Sequence, residues 1–140
     1  MRIFLDANIL FAASLPKSQT ETFFKEFQRY AVLLTNPYAL EEARRNLTNK
    51  KPKALPHFEQ LIKHIKMIDA ALTSVEVELS SKDVPILGGA VAGKVTHLLT
   101  GDIRDFGVLW GKTIRGVKIV SPQLLMDELV RKGWLQKKKS

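Results

Sequence analysis

Short uninterrupted apolar runs, each followed by a helix-start signal, are the feature of this sequence that most restricts its fold. Ile3-Phe4-Leu5 is the first run, and Leu98-Leu99 lies in a later one. Because successive strand residues point to opposite faces of a sheet, a strand without polar residues has to be covered on both faces. The alternation of such strands with helices predicts the α/β class, as a three-layer α/β/α sandwich around a central parallel sheet.

Capping residues indicate where the predicted helices begin. Ser18 and Glu21 form a capping box, while Asn36-Pro37 and Ser121-Pro122 place an N-cap residue before a proline at the first helical position. Gly88-Gly89 in a later helix indicates close approach of another backbone, since each glycine costs about 1 kcal/mol relative to alanine. The predicted helices are Asn8 to Ser14, Ser18 to Tyr30, Asn36 to Asn49, Leu55 to Ile68, Asp83 to Gly93 and Ser121 to Lys132. The predicted strands are Arg2 to Leu5, Ala31 to Thr35, Thr96 to Thr100 and Val117 to Val120, with Ser74 to Leu79 as an edge strand or extended loop.

Length and composition indicate one small basic domain. The 140 residues fit a single domain over 1–136 and a basic flexible tail over 137–140. The absence of cysteine excludes disulfides, thiolate metal sites and a cysteine nucleophile. Asp6 interrupts the apolar run that a secretion signal needs, and no uncharged apolar run approaches the ~18 residues of a membrane helix, so we expect a cytoplasmic protein and no membrane partner. The 22 Lys and Arg residues against 14 Asp and Glu residues give a net charge of +8, which favours a polyanionic partner.

Two acids come directly after apolar strands, where a parallel sheet places its ligands. Asp6 follows the first predicted strand, and Asp102 follows the strand that ends at Thr100. Ligands bind beyond the carboxyl ends of such strands near the topological switch point, so neighbouring strands would direct both carboxylates into one crevice. Two like charges so close favour a cation between them, and oxygen ligands suit Mg²⁺ or Mn²⁺. Either aspartate alone is explained equally well as the N-cap of the next helix.

Other acids are weaker candidates for the same crevice. Asp83 precedes a helix, so capping explains it fully. Asp105 lies one turn beyond Asp102 and is either a further acid of the crevice or a surface residue paired with its neighbour. Glu41 and Glu42 flank the apolar stripe of the helix that begins at Asn36. Glu41 is spaced for an ion pair on the helix surface, whereas Glu42 lies nearer a packing edge and is the better candidate to point inward.

Taken in order, these segments resemble the PIN domain family. Asp6-Ala7-Asn8 after the first strand resembles the Asp-x-Asn opening of PIN domains. Asn36-Pro37, with a glutamate farther along the same helix, is similar to the family's Ser-Pro segment and its helical Glu. The resemblance continues nearly to the end of the chain through Asp83 to Ala90, Thr100-Gly101-Asp102, Asp105-Phe106-Gly107 and Val117 to Pro122.

The resemblance implies Mg²⁺- or Mn²⁺-dependent ribonuclease activity on RNA, as in the VapC-like toxins of bacterial toxin–antitoxin pairs. It also implies a homodimer and an inhibitory antitoxin peptide laid over the acidic crevice. Glu42 rather than Glu41 matches the helical acid, because Leu47 follows it at the family spacing. Carried over by position, the catalytic acids are Asp6, Glu42, Asp83 and Asp102, the metal ligands are Asp6, Asp83, Asp102 and Asp105, and the supporting residues are Asn8, which would orient Asp6 or a bound water, and Thr100.

Basic residues near these acids are the predicted substrate contacts. Each basic cluster is also explained as a solvated face. The predicted RNA-binding residues are Arg44, Arg45, Arg104 and Lys112, and the same two clusters include Lys50, Lys51, Lys53 and Arg115.

Two functions of other classes remain open on the sequence. One is a non-catalytic RNA- or protein-binding module on the same fold. The other is a phosphatase with Asp6 as nucleophile, although Asn8 stands where that chemistry often has a second acid. The three histidines have no metal-ligand spacing, and His97, in a buried strand, is predicted to be a hydrogen-bonded core residue.

Overall fold

A six-stranded sheet runs through the residues that the computed structural model describes, which are 1–68, 84–102 and 106–134. Its strands are β1 (Arg2–Leu5), β2 (Val32–Thr35), β3 (Lys66–Met67), β4 (His97–Leu99), β5 (Thr113–Ile114) and β6 (Val117–Val120). Of these strands, only β5 is antiparallel to its neighbour in the strand order β3-β2-β1-β4-β6-β5. The predicted α/β sandwich is confirmed, with a mainly parallel sheet and one antiparallel strand at its edge.

The helices begin where the capping residues predict. The α-helices bounded within the described residues are α1 (Ala7–Ala13), α2 (Gln19–Tyr30), α3 (Pro37–Lys50), α4 (Leu55–Leu61), α5 (Val84–Ala92) and α6 (Pro122–Arg131). Ser18, Asn36 and Ser121 are the N-caps of α2, α3 and α6, and each side chain accepts a hydrogen bond from the backbone N–H three residues later. Short 3₁₀ helices lie at Pro52–Ala54, Ile62–His64 and Gly107–Leu109.

Both faces of the sheet are buried. Phe4 and Leu5 of β1 are at most 1% exposed although their side chains point to opposite faces. On one face, Leu5 and Leu99 line a small cavity together with phenylalanines of α2 and with Pro122 of α6. On the other face, Phe4 lies near Gly89 of α5. The uninterrupted apolar run of β1 therefore has the two-sided cover that its sequence predicts.

Helix α5 comes close to the start of α3 at Gly89. A Cβ atom at Gly89 would lie 2.5 Å from Nδ2 of Asn36, the buried N-cap of α3. The close neighbour at this glycine is therefore an amide side chain and not the backbone that the Gly88-Gly89 pair predicts. The missing side chain at Gly89 leaves room for the cap of the helix that carries Glu42.

The predicted helix from Leu55 to Ile68 is wrong in its last third. Helix α4 ends at Leu61, a 3₁₀ turn follows, and Ile65 has extended backbone with φ −115° and ψ 130°. Lys66–Met67 then pairs with β2 as β3. The hydrogen bonds that this segment forms with β2 outweigh its helical periodicity, because tertiary pairing commonly overrides local propensity.

A buried polar network connects α6 to the sheet. Nε2 of His97 donates to Oε2 of Glu128 over 2.8 Å, and Nζ of Lys118 donates to Oε1 over 3.0 Å. Burial lowers the pKa of His97, which outweighs the opposite influence of Glu128. Burial alone would raise the pKa of Glu128, but hydrogen bonds from Lys118 and His97 and their charges lower it. The prediction that His97 is a hydrogen-bonded core residue is confirmed.

Among the described residues, the sheet ends in a two-residue strand at each edge, β3 on one side and β5 on the other. β5 is too short to show the alternation that marks a strand in sequence. In the described part of the chain, no helix has the length and apolar character needed to span a bilayer. The segments Ser74 to Leu79, Asp83 and 137–140 lie outside the described residues, and the assignment of one domain to 1–136 stays a prediction.

Candidate active site

The strand order changes direction between β1 and β4. Strand β1 pairs in parallel with β2 on one side and with β4 on the other, where Leu5 lies opposite Leu99. The carboxyl ends of these two strands are therefore the topological switch point, the place where α/β folds bind ligands. Asp6 follows β1, and its backbone N–H donates to the carbonyl of Leu99 over 3.1 Å. The two acid-bearing strands are therefore neighbours, which is the condition under which the sequence predicts a shared crevice.

An open pocket of about 280 Å³ lies at this point. Three of the predicted acids line it together, although they are separated by up to 96 positions along the chain. Polar side chains of α1 and α3 complete much of the wall. The lining residues are Asp6, Ala7, Asn8, Phe11, Glu42, Asn46, Lys50 and Asp102.

Asp6 is both the N-cap of α1 and the most buried acid of the pocket. Its Oδ1 accepts a hydrogen bond from the N–H of Ala7 over 2.7 Å, and Asp6 is only 4% exposed. Burial raises the pKa of Asp6 from 3.8 to about 6, partly opposed by the hydrogen bonds from Thr100 and Ala7 and assisted by the charges of Glu42 and Asp102. The Asp6 carboxylate therefore caps α1 and also lines the pocket, so the capping role does not exclude a role in the site.

Asn8 and Thr100 hold the Asp6 carboxylate in place. The Thr100 hydroxyl donates to Oδ2 of Asp6 over 2.8 Å, and Nδ2 of Asn8 donates to the same oxygen over 3.2 Å. Oδ1 of Asn8 accepts from the N–H of Gly101 over 2.9 Å, and Thr100 Oγ1 accepts from the N–H of Asp102 over 3.1 Å. The two side chains thus connect the end of β1 to the turn after β4.

One face of α3 supplies the opposite wall. Glu42, Asn46 and Lys50 follow at four-residue intervals and all line the pocket. Glu41 is exposed and does not line the pocket, so Glu42 is the glutamate of this pair that faces it, and its role as the helical acid stays a prediction. Asn46 was absent from the predicted site residues, and its position four residues after Glu42 is the sequence signal that identifies it.

The oxygen atoms of the described acids are of the type that binds divalent cations such as Mg²⁺. Carboxylate and amide oxygens suit Mg²⁺ or Mn²⁺, and Mg²⁺ in proteins retains several waters. Within the described residues, Asp6 forms no ion pair with Lys or Arg, so its charge is opposed only by hydrogen-bond donors. Within these same ranges, no three His, Asp or Glu side chains converge on one point closely enough to hold an ion. The remaining predicted ligands, Asp83 and Asp105, lie outside the described residues, as does Arg104.

The other predicted RNA contacts lie away from the pocket wall. Arg44 donates to Oε1 of Glu59 over 3.1 and 3.2 Å and lies over the ring of Phe58, so it connects α3 to α4. Arg45 is exposed on α3, and Lys112 is exposed beside β5 at the edge of the sheet. None of these three cationic residues lines the pocket. Among the residues that the structure describes, Lys50 is the basic residue that lines it.

Comparison with known proteins identifies the fold. No protein-family model matches the sequence, and no curated protein matches it. The structure is similar to a chain of VapBC2 from Rickettsia felis, in a crystal structure bound to a DNA fragment from its promoter, with a TM-score of 0.64 and 15% identity over 86% of this chain and 98% of that chain. It is also similar to a chain of FitAB bound to an IR36 DNA fragment, with a TM-score of 0.55 and 16% identity over 99% of each chain.

VapC, the toxin of such a complex, is a PIN-domain protein. This chain has the PIN fold. At this level of identity the likeness extends to the PIN fold alone, so the chemistry of the pocket has to be argued from its own residues.

Proposed function

We propose that this chain is a Mg²⁺- or Mn²⁺-dependent endoribonuclease that hydrolyses phosphodiester bonds of RNA. The observation that carries the proposal is the switch-point pocket, which Asp6, Glu42 and Asp102 line together. The pKa of Asp6 is raised to about 6 by burial and by those two acids, which is the electrostatic condition that a bound cation relieves. The net charge of +8 and the PIN fold support a nucleic-acid substrate.

Each polar group of the pocket has a role in this proposal. Asp6, oriented by Thr100 and Asn8, and Asp102 would bind the cation, with Asp83 and Asp105 as the further proposed ligands. Glu42 would bind the cation or its water from the α3 wall. A bound Mg²⁺ or Mn²⁺ lowers the pKa of a coordinated water and offsets the charge that develops on the phosphate. Within the described residues no histidine lines the pocket, so histidine does not serve as the proton acceptor there.

We also propose that the nuclease is the toxin of a toxin–antitoxin pair and forms a homodimer. The likeness to chains of the VapBC2 and FitAB complexes supports a protein partner of the antitoxin type. Such a partner would inhibit by covering the acidic pocket. Co-purification of the chain with the product of its neighbouring gene, followed by light scattering, measures both the complex and the number of copies. A monomer that binds no such product would contradict this part.

Cleavage of a labelled single-stranded RNA in Mn²⁺ tests the nuclease proposal. The variants Asp6→Asn and Asp102→Asn should lose about 100-fold or more of the parent's rate, because each removes a proposed ligand without changing side-chain size. Glu42→Gln should also lose activity, whereas the matched control Glu41→Gln should stay within about twofold, because Glu41 is exposed and outside the pocket.

Binding measurements separate the nuclease from the non-catalytic alternative. If the parent protein binds RNA but cleavage is absent in Mg²⁺ and in Mn²⁺, the chain is a binding module. If the three pocket variants Asp6→Asn, Asp102→Asn and Glu42→Gln cleave as fast as the parent at saturating Mn²⁺, this pocket is not the active site. A Mn²⁺-dependent rise in the melting temperature of the parent, absent in Asp6→Asn, is the readout that does not depend on activity.

A further inference from the structure

A second groove adjoins the acidic pocket and shares one wall residue with it. Its volume is about 390 Å³, and it opens where α3 ends and the 3₁₀ helix Pro52–Ala54 begins. Lys50, the last residue of α3, lines both cavities. The residues that line the groove are Leu15, Pro16, Lys50, Lys51, Pro52, Lys53 and Ala54, and we call this set the lysine groove.

The lysine groove combines an apolar floor with uncompensated positive charge. Lys50, Lys51 and Lys53 are exposed, and none of them pairs with a carboxylate among the described residues. By contrast, Lys118 and Lys132 both pair with Glu128. A lysine in the last turn of a helix interacts favourably with the helix dipole. This interaction explains Lys50 alone but not three lysines within four positions.

The geometry of α3 connects the lysine groove to the acids. Glu42, Asn46 and Lys50 lie on one helix face, and the rise of 1.5 Å per residue places Lys50 about 12 Å along the helix from Glu42. This distance corresponds to about three nucleotides of a stacked strand at ~3.4 Å per nucleotide. A strand bound at the acids and running along α3 would therefore bring a phosphate to Lys50 about three nucleotides from the bond that is cut.

We propose that the lysine groove binds the single-stranded RNA segment on one side of the cleaved phosphodiester, a proposal that rests on the nuclease function above. Phosphates of the segment contact Lys50, Lys51 and Lys53, and its sugars and bases lie on the apolar floor that Leu15 and Ala54 help to form. Asn46 lies between the acids and the lysines and is a hydrogen-bond partner for the intervening nucleotide. Charge complementarity favours a polyanion, and the RNA substrate is the polyanion whose strand has to continue past the acidic pocket.

The test compares two triple variants of the full chain that lose the same charge. The first is Lys50→Gln/Lys51→Gln/Lys53→Gln. The control changes lysines on α2, on the Ile62–His64 turn and on β3, all outside both cavities: Lys25→Gln/Lys63→Gln/Lys66→Gln. Thermal unfolding first establishes that both variants fold like the parent.

The first measurement is anisotropy of fluorescein-labelled octauridylate in EDTA across a series of salt concentrations. The groove variant should bind about tenfold or more weakly at about 0.1 M salt. The slope of log K against log [salt] should become shallower by about 2, because each phosphate contact of a single strand contributes about 0.7. The control variant should keep the slope of the parent. Equal weakening by both variants, or no binding by the parent, would overturn the proposal.

The second measurement is cleavage of the same octauridylate and of a dinucleotide in Mn²⁺. The groove variant should lose more of its kcat/KM on the octamer than on the dinucleotide, because a dinucleotide bound at the acids is too short to reach Lys51 and Lys53. Equal losses on the two substrates would contradict a contact between the lysine groove and the RNA strand. If the parent cuts neither substrate, the nuclease proposal fails while the salt slopes still decide the groove proposal.

Polyglutamate stands in for an acidic peptide, the alternative occupant of the lysine groove. If the groove variant loses polyglutamate binding but binds octauridylate like the parent, the lysine groove takes an acidic peptide and the RNA proposal is overturned.

Discussion

The hydroxyl of Thr100 donates a 2.8 Å hydrogen bond to Oδ2 of Asp6, a carboxylate 94 positions earlier in the chain. Thr100 is completely buried and is also the acceptor for the backbone N–H of Asp102. The bond therefore crosses the switch point of the sheet and fixes one acid while it positions the turn that carries another. The buried hydroxyl of Thr100 therefore connects Asp6 to the turn that carries Asp102.

We expect Thr100→Val to weaken metal binding about 10- to 100-fold while Thr100→Ser retains most of it. Valine has a similar shape but removes the donor that lowers the pKa of Asp6, so the carboxylate is less readily ionised. Mn²⁺ titration followed by the melting temperature measures the effect. Thr48→Val, on the exposed side of α3, is the control and should bind Mn²⁺ like the parent. Equal Mn²⁺ affinity in Thr100→Val and Thr48→Val would show that the Thr100 hydroxyl does not serve the site.

Asp6→Asn should make the metal-free protein more stable at pH 8, by about 1–3 kcal/mol. Raising the pKa of Asp6 from 3.8 to about 6 costs about 3 kcal/mol at 1.36 kcal/mol per pKa unit, and weakened hydrogen bonds to Thr100 and Asn8 offset part of the gain. Asparagine remains a good N-cap for α1. Urea unfolding in EDTA measures the change. A less stable Asp6→Asn protein would mean that the charged carboxylate does not strain the fold.

The stability difference between the parent and Asp6→Asn should depend on pH. The folded pKa of Asp6 lies above its unfolded value, so the folded state binds the proton more tightly and the parent gains stability as pH falls from about 6 to about 3.8. The stability advantage of Asp6→Asn should therefore shrink over this range and disappear below it. Contributions from His97 and Glu128 are common to both proteins and cancel in the difference. An advantage that is independent of pH would contradict the raised pKa.

Gly89→Ala should reduce the free energy of unfolding by about 1–3 kcal/mol. The new Cβ would lie 2.5 Å from Nδ2 of Asn36, which is held as the N-cap of α3 and cannot move without losing its bond to the N–H of Ala39. The double variant Gly89→Ala/Asn36→Ser keeps a capping oxygen on a shorter side chain and should recover part of the loss. Chemical denaturation measures both. If the double variant is less stable than the sum of the single changes, the contact is not the cause.

Much of the fold could be predicted because its signals are local. Ser18, Asn36 and Ser121 form their caps with residues three positions away, and the apolar run of β1 is buried on both faces as it predicts. The segment after Leu61 could not be predicted in this way. It has the period of a helix, but Lys66–Met67 pairs with β2, a partner about 30 positions distant that a local pattern does not contain.

The candidate site, too, could be predicted from the sequence only in part. The rule that acids after neighbouring parallel strands converge is sufficient to bring Asp6 and Asp102 together, and helix spacing distinguishes Glu42 from Glu41. The raised pKa of Asp6 depends on burial beneath residues from several elements, so the sequence gives no measure of it. The joining of the pocket to the lysine groove through Lys50 likewise depends on where α3 ends in three dimensions.

The brevity of the outer strands limits how copies of this protein can associate. In the part of the chain that the structure describes, β3 and β5 offer two residues each for hydrogen bonding, which is too little to seed a continuous intermolecular ladder. These two described edges therefore disfavour strand addition across the sheet margin, and fibril-like stacking with it. Association between copies through helix and loop surfaces would leave the strand ends that carry Asp6 and Asp102 open to a long, thin ligand.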